Sequence, residues 1–268
     1  ESYVLTHAKT LRPSASLSLL INNKLALADV EAVIFDKDGT LIDVHHYWAS
    51  MLKIRAKLIV KKYKLDGKVK NELMDAMGID VRTGKIKANG PVGIKPRPFI
   101  VSVATEVLNS NNVNAGHDDI EDIFLEVDKK TSDNILPLLR LLPGVEQLLE
   151  SLSQYGIAIM LATTDMTMRA RLAMRALNIE HFFTEIIGGD AVDFAKPSPD
   201  LALNIIEKRG VNQYKTVIIG DHPVDIKMGI SANVGCNIGI LTGLSNADLF
   251  SELDCFVVES LKDIKVSC

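Results

Sequence analysis

Short, unbroken apolar runs alternate with stretches where apolar residues recur every third or fourth position, most clearly from about residue 140 onward. The runs Ala32–Phe35, Ala158–Ala162, Glu185–Gly188, Thr216–Gly220, Cys236–Ile240 and Cys255–Val258 are of strand length, and most are rich in β-branched residues. Each therefore predicts a buried strand. Val145–Tyr155, Thr167–Leu177, Pro199–Lys208 and Val224–Ser231 carry helical spacing between them. Pro143-Gly144 opens the first of these helices, and Asp165 stands close enough to the second to cap it. Such a succession predicts βαβ units, and right-handed crossovers make them an α/β fold with a doubly wound (Rossmann-like) parallel sheet.

Residues 46–138 break this rhythm. Tyr47–Tyr63, Val69–Met77, Pro98–Leu108 and Asp119–Lys130 read as helices, and little there reads as strand. The expected organisation is a core of residues 29–45 and 139–268, an inserted all-helical cap domain over 46–138, and an N-terminal arm over 1–28. The role of the arm is open. It is rich in Ser, Thr and Leu, and between residues 2 and 28 it holds Lys9, Arg12 and Lys24 but no acid. That bias is similar to an organelle transit peptide. The partly apolar Leu17–Leu27 points instead to an ordered arm packed on the core, and the segment could equally trail from an upstream domain.

Composition narrows the classes. With 30 basic and 34 acidic side chains the chain has a net charge of −4, which gives no electrostatic case for a nucleic-acid partner. No apolar stretch approaches the ~20 residues that span a bilayer, so no membrane partner is expected. Cys236, Cys255 and Cys268 lack metal-ligand spacing, and the histidines form no HxxxH pattern, so zinc is not expected. Unpaired thiols suit a reducing compartment. The cytoplasm is expected, or an organelle matrix if residues 1–28 are a transit-peptide remnant. The oligomeric state is not legible.

The chemistry is concentrated at the ends of the strand runs. Ala32–Phe35 leads into Asp36-Lys37-Asp38-Gly39-Thr40, where the glycine permits a sharp turn. Two carboxylates are thereby delivered at the C-terminal end of a strand, the edge where open α/β sheets bind ligands. Like charges there call for a cation or a proton, although Asp-Gly also occurs in plain surface turns. Ala158–Ala162 ends in Thr163-Thr164-Asp165, Lys196-Pro197-Ser198-Pro199 precedes a helix, and Thr216–Gly220 ends in Asp221-His222-Pro223-Val224-Asp225.

In this order the motifs resemble those of the haloacid dehalogenase superfamily, over residues ~30–268. The helical insertion resembles the cap of one branch, and Ile187-Gly188-Gly189-Asp190 ahead of Lys-Pro-x-Pro-Asp resembles the phosphoglycolate phosphatase branch. The resemblance implies a Mg²⁺-dependent phosphomonoesterase acting on a small phosphorylated metabolite, such as 2-phosphoglycolate or a sugar phosphate. Asp36 would be the nucleophile and form a phospho-aspartyl intermediate. Asp38 would protonate the leaving alcohol and then activate water. Thr163 would donate to a phosphoryl oxygen, and Lys196 would balance the aspartates. Asp36, the backbone carbonyl of Asp38, and Asp221 would hold Mg²⁺, with Asp225 as an outer-shell or auxiliary acid.

Thr164, a candidate substrate contact, departs from the asparagine that often follows the family's Ser/Thr. Arg82, Lys85, Lys87, Lys95 and Arg97 in the cap are either a solvated charged face or an anion-binding one, and Lys85 and Arg97 are the candidates for substrate contact. Asp43, His45 and His46 are open between structural and substrate-contacting roles. A dehalogenase or phosphonatase would not need Asp38. A phosphomutase using the same aspartate pair, or a non-catalytic regulatory module on this fold, remains as an alternative.

Overall fold

The computed structural model describes residues 17–93 and 95–267. The remainder of the arm (1–16) and Cys268 lie outside the described residues. A hairpin comes first, β1 (Ser18–Ile21) and β2 (Lys24–Leu27), followed by β3 (Ala32–Phe35). Then come α1 (Val44–Lys62), α2 (Gly67–Met77), β4 (Ile79–Asp80), β5 (Lys85–Ile86), α3 (Arg97–Ser110) and α4 (His117–Asp133). The chain returns through α5 (Val145–Gln154), β6 (Ala158–Ala162), α6 (Thr167–Ala176), β7 (Glu185–Ile187) and α7 (Asp200–Arg209). It closes with β8 (Thr216–Gly220), α8 (Pro223–Ser231), β9 (Cys236–Ile240), β10 (Phe256–Val258) and β11 (Ile264–Ser267).

Six strands form one sheet in the order β10-β9-β8-β3-β6-β7, and every pairing in it is parallel. The chain fills one side of β3 with β6 and β7, then crosses to the other side for β8, β9 and β10. The order therefore reverses at β3. At such a switch point the loops after neighbouring strands diverge and leave a crevice at the C-terminal edge. The loops after β3, β6 and β8 all open into it.

The central strands are buried on both faces, which is why they read as continuous apolar runs rather than alternating ones. Val33, Phe35, Ile159, Leu161, Val217 and Ile219 pack on one face with Leu149 of α5 and Met174 of α6. Ala32, Ile34, Met160 and Ile218 pack on the other with Leu201 and Ile205 of α7 and Met228 of α8.

The four helices of the insertion have an apolar core of their own, built from Leu52, Ile59, Leu73, Met77, Ile100, Leu108 and Phe124. Asp43 starts α1 by accepting from the His46 N–H at 2.9 Å, and Arg140 on the returning chain donates to the same carboxylate at 2.5 Å. That salt bridge clamps the two strands of chain linking insertion and core. One feature departs from an all-helical cap: β4 and β5 pair antiparallel, Ile79 with Ile86 and Asp80 with Lys85. Two-residue strands are too short to leave a period in the sequence. Residues 18–27 add a second antiparallel element, because β1 pairs with both β2 and the distant β11.

Candidate active site

Asp36 follows β3 directly, and its N–H donates to the Ile219 carbonyl on β8 at 2.9 Å, so the sheet hydrogen bonding extends to the first motif residue. Lys196 reaches in from the loop before α7. Its Nζ lies 2.6 Å from Asp36 Oδ1 and 2.8 Å from Asp225 Oδ1, and its side chain is 1% exposed. Asp225 is fixed further by accepting from the His222 N–H at 3.0 Å. One oxygen from each of Asp36, Asp221 and Asp225 lies within 4.8 Å of the others.

Asp221 is wedged in place. A Cβ built on Gly39 would lie 2.4 Å from Asp221 Oδ2, and one on Gly243 would lie 1.7 Å from the same atom. Neither position has room for a side chain. Gly39 also has φ +89°, a conformation L side chains rarely adopt. Thr40, fully buried, donates to Asp221 Oδ1 at 3.4 Å, and Thr242 Oγ1 donates to the Gly39 carbonyl at 2.6 Å.

Burial pushes the Asp221 carboxyl well above the ordinary carboxylate range, and the charges of Asp36 and Asp225 push it further. Asp36 is raised by burial against the pull of Lys196. Lys196 is raised despite its burial, because Asp36 and Asp225 flank it. One lysine thus faces three carboxylates, and the cluster has the charge deficit that a cation would fill. An all-oxygen carboxylate donor set suits a hard cation. Asp36 and Asp221 are the available ligands, since both oxygens of Asp225 are engaged by Lys196 and His222.

Asp38 stands at the rim, its side chain 48% exposed, with Oδ2 2.9 Å from Lys37 Nζ. Its carboxyl is raised by desolvation, which outweighs the attraction of Lys37. Lys37 is itself buried and also donates to Asp165 Oδ2 at 3.0 Å, joining the loops after β3 and β6. Thr163, buried at the end of β6, donates its N–H to Ile187 on β7, and its Oγ1 accepts from the Asp165 N–H at 3.2 Å. Thr164 is exposed. The Gly188-Gly189-Asp190 segment braces this loop. Asp190 Oδ1 accepts from the Thr167 N–H and hydroxyl at 2.7 and 2.8 Å, so the start of α6 is held from the loop after β7 rather than capped by Asp165, whose Oδ1 accepts from the Met166 N–H at 2.8 Å. Gly188 packs so closely that a Cβ would lie 2.3 Å from the Asp165 carbonyl oxygen.

The structure thus brings Asp36, Asp221, Asp225 and Lys196 into one charged cluster. The two cap candidates separate. Arg97 is engaged within the cap, paired with Asp128 and lying 2.7 Å from Glu121, with its guanidinium over Phe124 beside that of Arg55. Lys85 is exposed on β5. Thr242 and Gly243 are residues that motif reading passed over, and it gave Lys37 no role and Asp165 only that of a helix cap. Lys37 carried one signal, its place between the two motif aspartates; Gly243 carried none.

Comparison with known proteins agrees with this architecture. A family profile described as haloacid dehalogenase-like hydrolase matches residues 33–238. A phosphorylated carbohydrates phosphatase of Thermotoga maritima is 26% identical over 225 residues, spanning 83% of this chain and 91% of that protein. A phosphoglycolate phosphatase of Vibrio parahaemolyticus is 26% identical over 241 residues, spanning 88% and 95%. A pyrophosphatase of Oceanobacillus iheyensis is 25% identical over 236 residues, again spanning 88% and 95%. Among solved structures, a subfamily IA hydrolase from Geobacter sulfurreducens superposes with a TM-score of 0.62 at 15% identity, covering 87% of this chain and 94% of that one. At that identity the likeness is one of fold.

Proposed function

The chain belongs to the haloacid dehalogenase-like hydrolase family, and from that premise and the geometry of the site we propose that it is a phosphoric monoester hydrolase with Asp36 as nucleophile. The observation that carries this reading is the Asp36–Lys196 pair at the switch point of the sheet, with Asp221 close by. A phosphate monoester resists attack because its own charges repel a nucleophile, so its hydrolysis needs neutralisation, positioning and a competent attacking group. Lys196 holds Asp36 in place and favours its ionised form against the cost of burial. Asp36 attacks phosphorus in line, forming an aspartyl phosphate as the leaving alkoxide departs.

Asp38, at the rim of the site, delivers the proton that the leaving oxygen needs. Having given it up, the same carboxylate accepts a proton from the water that hydrolyses the acyl phosphate, and Asp36 is regenerated. The Thr163 hydroxyl oxygen already accepts from Asp165, which leaves its proton for a phosphoryl oxygen. Asp36, the Asp38 carbonyl and Asp221 would hold Mg²⁺, whose charge offsets that of the phosphoryl group, while Asp225 steadies Lys196.

The substrate is a small phosphorylated metabolite. The names of the three relatives cover phosphorylated carbohydrates, phosphoglycolate and pyrophosphate, so a shared core serves different leaving groups and the cap selects among them. The test is Mg²⁺-dependent phosphate release from a panel of small monoesters and pyrophosphate. Release that disappears in Asp36→Asn supports the reading, and release that survives the substitution defeats it. Interconversion of phosphate positions without release would mark a mutase.

A further inference from the structure

Lack of space forces glycine at 243, since a Cβ there would lie 1.7 Å from Asp221 Oδ2. Glycine also brings a backbone freedom that a side chain would restrict. The surroundings therefore have to hold this residue in place. Its neighbour Thr242 is anchored, with Oγ1 donating to the Gly39 carbonyl at 2.6 Å. Among the described residues, no backbone–backbone hydrogen bond reaches Gly243, and its carbonyl is held by one group, the imidazole of His45.

His45 comes from the insertion, in the first turn of α1. Its Nε2 lies 3.2 Å from the Gly243 carbonyl oxygen, and its Nδ1 lies 3.2 Å from the Ile86 amide nitrogen. A carbonyl can only accept, and an amide N–H can only donate. Both bonds therefore form together in one neutral tautomer, with Nε2 protonated and Nδ1 bare. Burial, opposed by Asp43, holds the imidazole below its ordinary pKa and so favours the neutral ring.

The far bond is rooted in the insertion, because Ile86 of β5 is buried in that domain's own apolar core. A second contact falls on the next residue of the same loop: a Cβ on Gly93 would lie 3.1 Å from Leu244 Cδ1. The insertion thus bears on the core at two consecutive residues, 243 and 244. The first of them abuts the Asp221 carboxylate, which also meets Gly39.

We propose that His45 is a positioning residue for Asp221. By holding the Gly243 carbonyl from the insertion, it keeps the carboxylate where it ligates Mg²⁺. It also makes Mg²⁺ binding and the seating of the β4–β5 hairpin one linked equilibrium. The proposal rests on the reading of Asp221 as a Mg²⁺ ligand and adds a support that comes from outside the core domain. His45 acts through Gly243 rather than by touching metal or substrate. Since a seated hairpin tightens the metal site, Mg²⁺ must by reciprocity stabilise the seated hairpin by the same factor.

The experiment combines calorimetric Mg²⁺ titration with amide hydrogen exchange, in the full chain and in His45→Ala, His45→Asn and His45→Gln. An asparagine carboxamide reaches the place of Nδ1 and a glutamine carboxamide that of Nε2, so these two variants separate the bonds. His45→Ala should weaken Mg²⁺ binding about tenfold, the lower end of the range for lost support around a metal ligand. His45→Gln keeps a donor for Gly243 and should recover most of that loss. His45→Asn keeps only the acceptor for Ile86 and should bind Mg²⁺ as weakly as His45→Ala. Saturating Mg²⁺ should slow exchange of the Ile86 amide in the parent alone, because each variant lacks at least one of the two bonds. Unchanged Mg²⁺ affinity in His45→Ala overturns the proposal, and so does Ile86 exchange in the parent that ignores Mg²⁺. A parent chain that binds no Mg²⁺ would instead defeat the reading of Asp221 as a ligand, and the proposal with it.

Discussion

Lys196 Nζ sits 2.6 Å from Asp36 Oδ1 although the two residues are 160 positions apart, and the same nitrogen holds Asp225 at 2.8 Å. This contact joins the loop after the first core strand to the loop before α7, and it is the only cation within ion-pair distance of either carboxylate among the described residues. Lys196→Met would leave buried carboxylates unpaired, which costs about 3–5 kcal/mol when one partner of a buried pair is removed. Thermal unfolding should show that loss, and Mg²⁺ should restore more stability to the variant than to the parent. Equal Mg²⁺ effects on both would argue against a shared charge cluster.

Asp221 carries the pH dependence of the proposed Mg²⁺ site. Its carboxyl is raised well above the ordinary value by burial and by Asp36 and Asp225. The unfolded chain therefore gives up this proton at lower pH than the folded one. The stability linked to Asp221 is present below the ordinary carboxylate range and is lost as pH rises through the raised folded value. Bound Mg²⁺ needs the ionised form, so binding should release protons and tighten with rising pH in this window. Calorimetric titration in two buffers of different ionisation enthalpy measures the release directly.

Gly243→Ala places a methyl group where the Asp221 carboxylate lies, since the ideal Cβ is 1.7 Å from Oδ2. The carboxylate must move. Mg²⁺ affinity should fall about 10–100-fold, the range seen when support around a metal ligand is lost. The midpoint of Mg²⁺ activation reads this, and an unchanged midpoint would show that Asp221 is not a ligand.

Lys37 holds the rim carboxylate of Asp38 and ties it to Asp165. In Lys37→Met that carboxylate is free to turn, and misplacement on the scale of 1 Å can cost up to about 10²-fold in rate. Steady-state kinetics should show the fall in kcat with KM little moved.

Asp43 behaves oppositely to Asp221. Burial alone would raise its carboxyl, but the His46 N–H and the Arg140 guanidinium overcome this and hold it below the ordinary value. Its contribution is present above the ordinary carboxylate range and fades as pH falls through the depressed value. Asp43→Ala removes the α1 cap at a cost of about 0.5–2 kcal/mol near neutrality. In acid the difference between variant and parent should shrink, which denaturant midpoints measured across pH would reveal.

The core sheet was legible because β3, β6 and β8 are buried on both faces and so leave unbroken apolar runs. Asp36 and Asp221 were legible because each follows such a run directly. Contacts between loops were not, since the Lys37–Asp165 pair depends on β3 and β6 being neighbours, a matter of strand order. Gly243 was silent because its contribution is the space its side chain does not fill. Lys85 and Arg97 looked alike as basic cap residues, and only the fold reveals that Glu121 and Asp128 already engage Arg97. The β1–β11 pairing brings the two ends of the described chain together, which no local period can announce.

The most direct test of Asp36 as nucleophile is trapping of the phosphorylated enzyme. Asp38→Asn, whose turnover should fall about 10²–10⁴-fold with its acid–base group gone, should be mixed with Mg²⁺ and a reactive aryl phosphate, quenched in acid and digested for mass spectrometry. A single phosphoryl group on Asp36, labile to hydroxylamine and absent when Asp36 is also replaced by Asn, is the result predicted. Phosphate release undiminished by Asp36→Asn, or a phosphoryl group on any other residue, would contradict it.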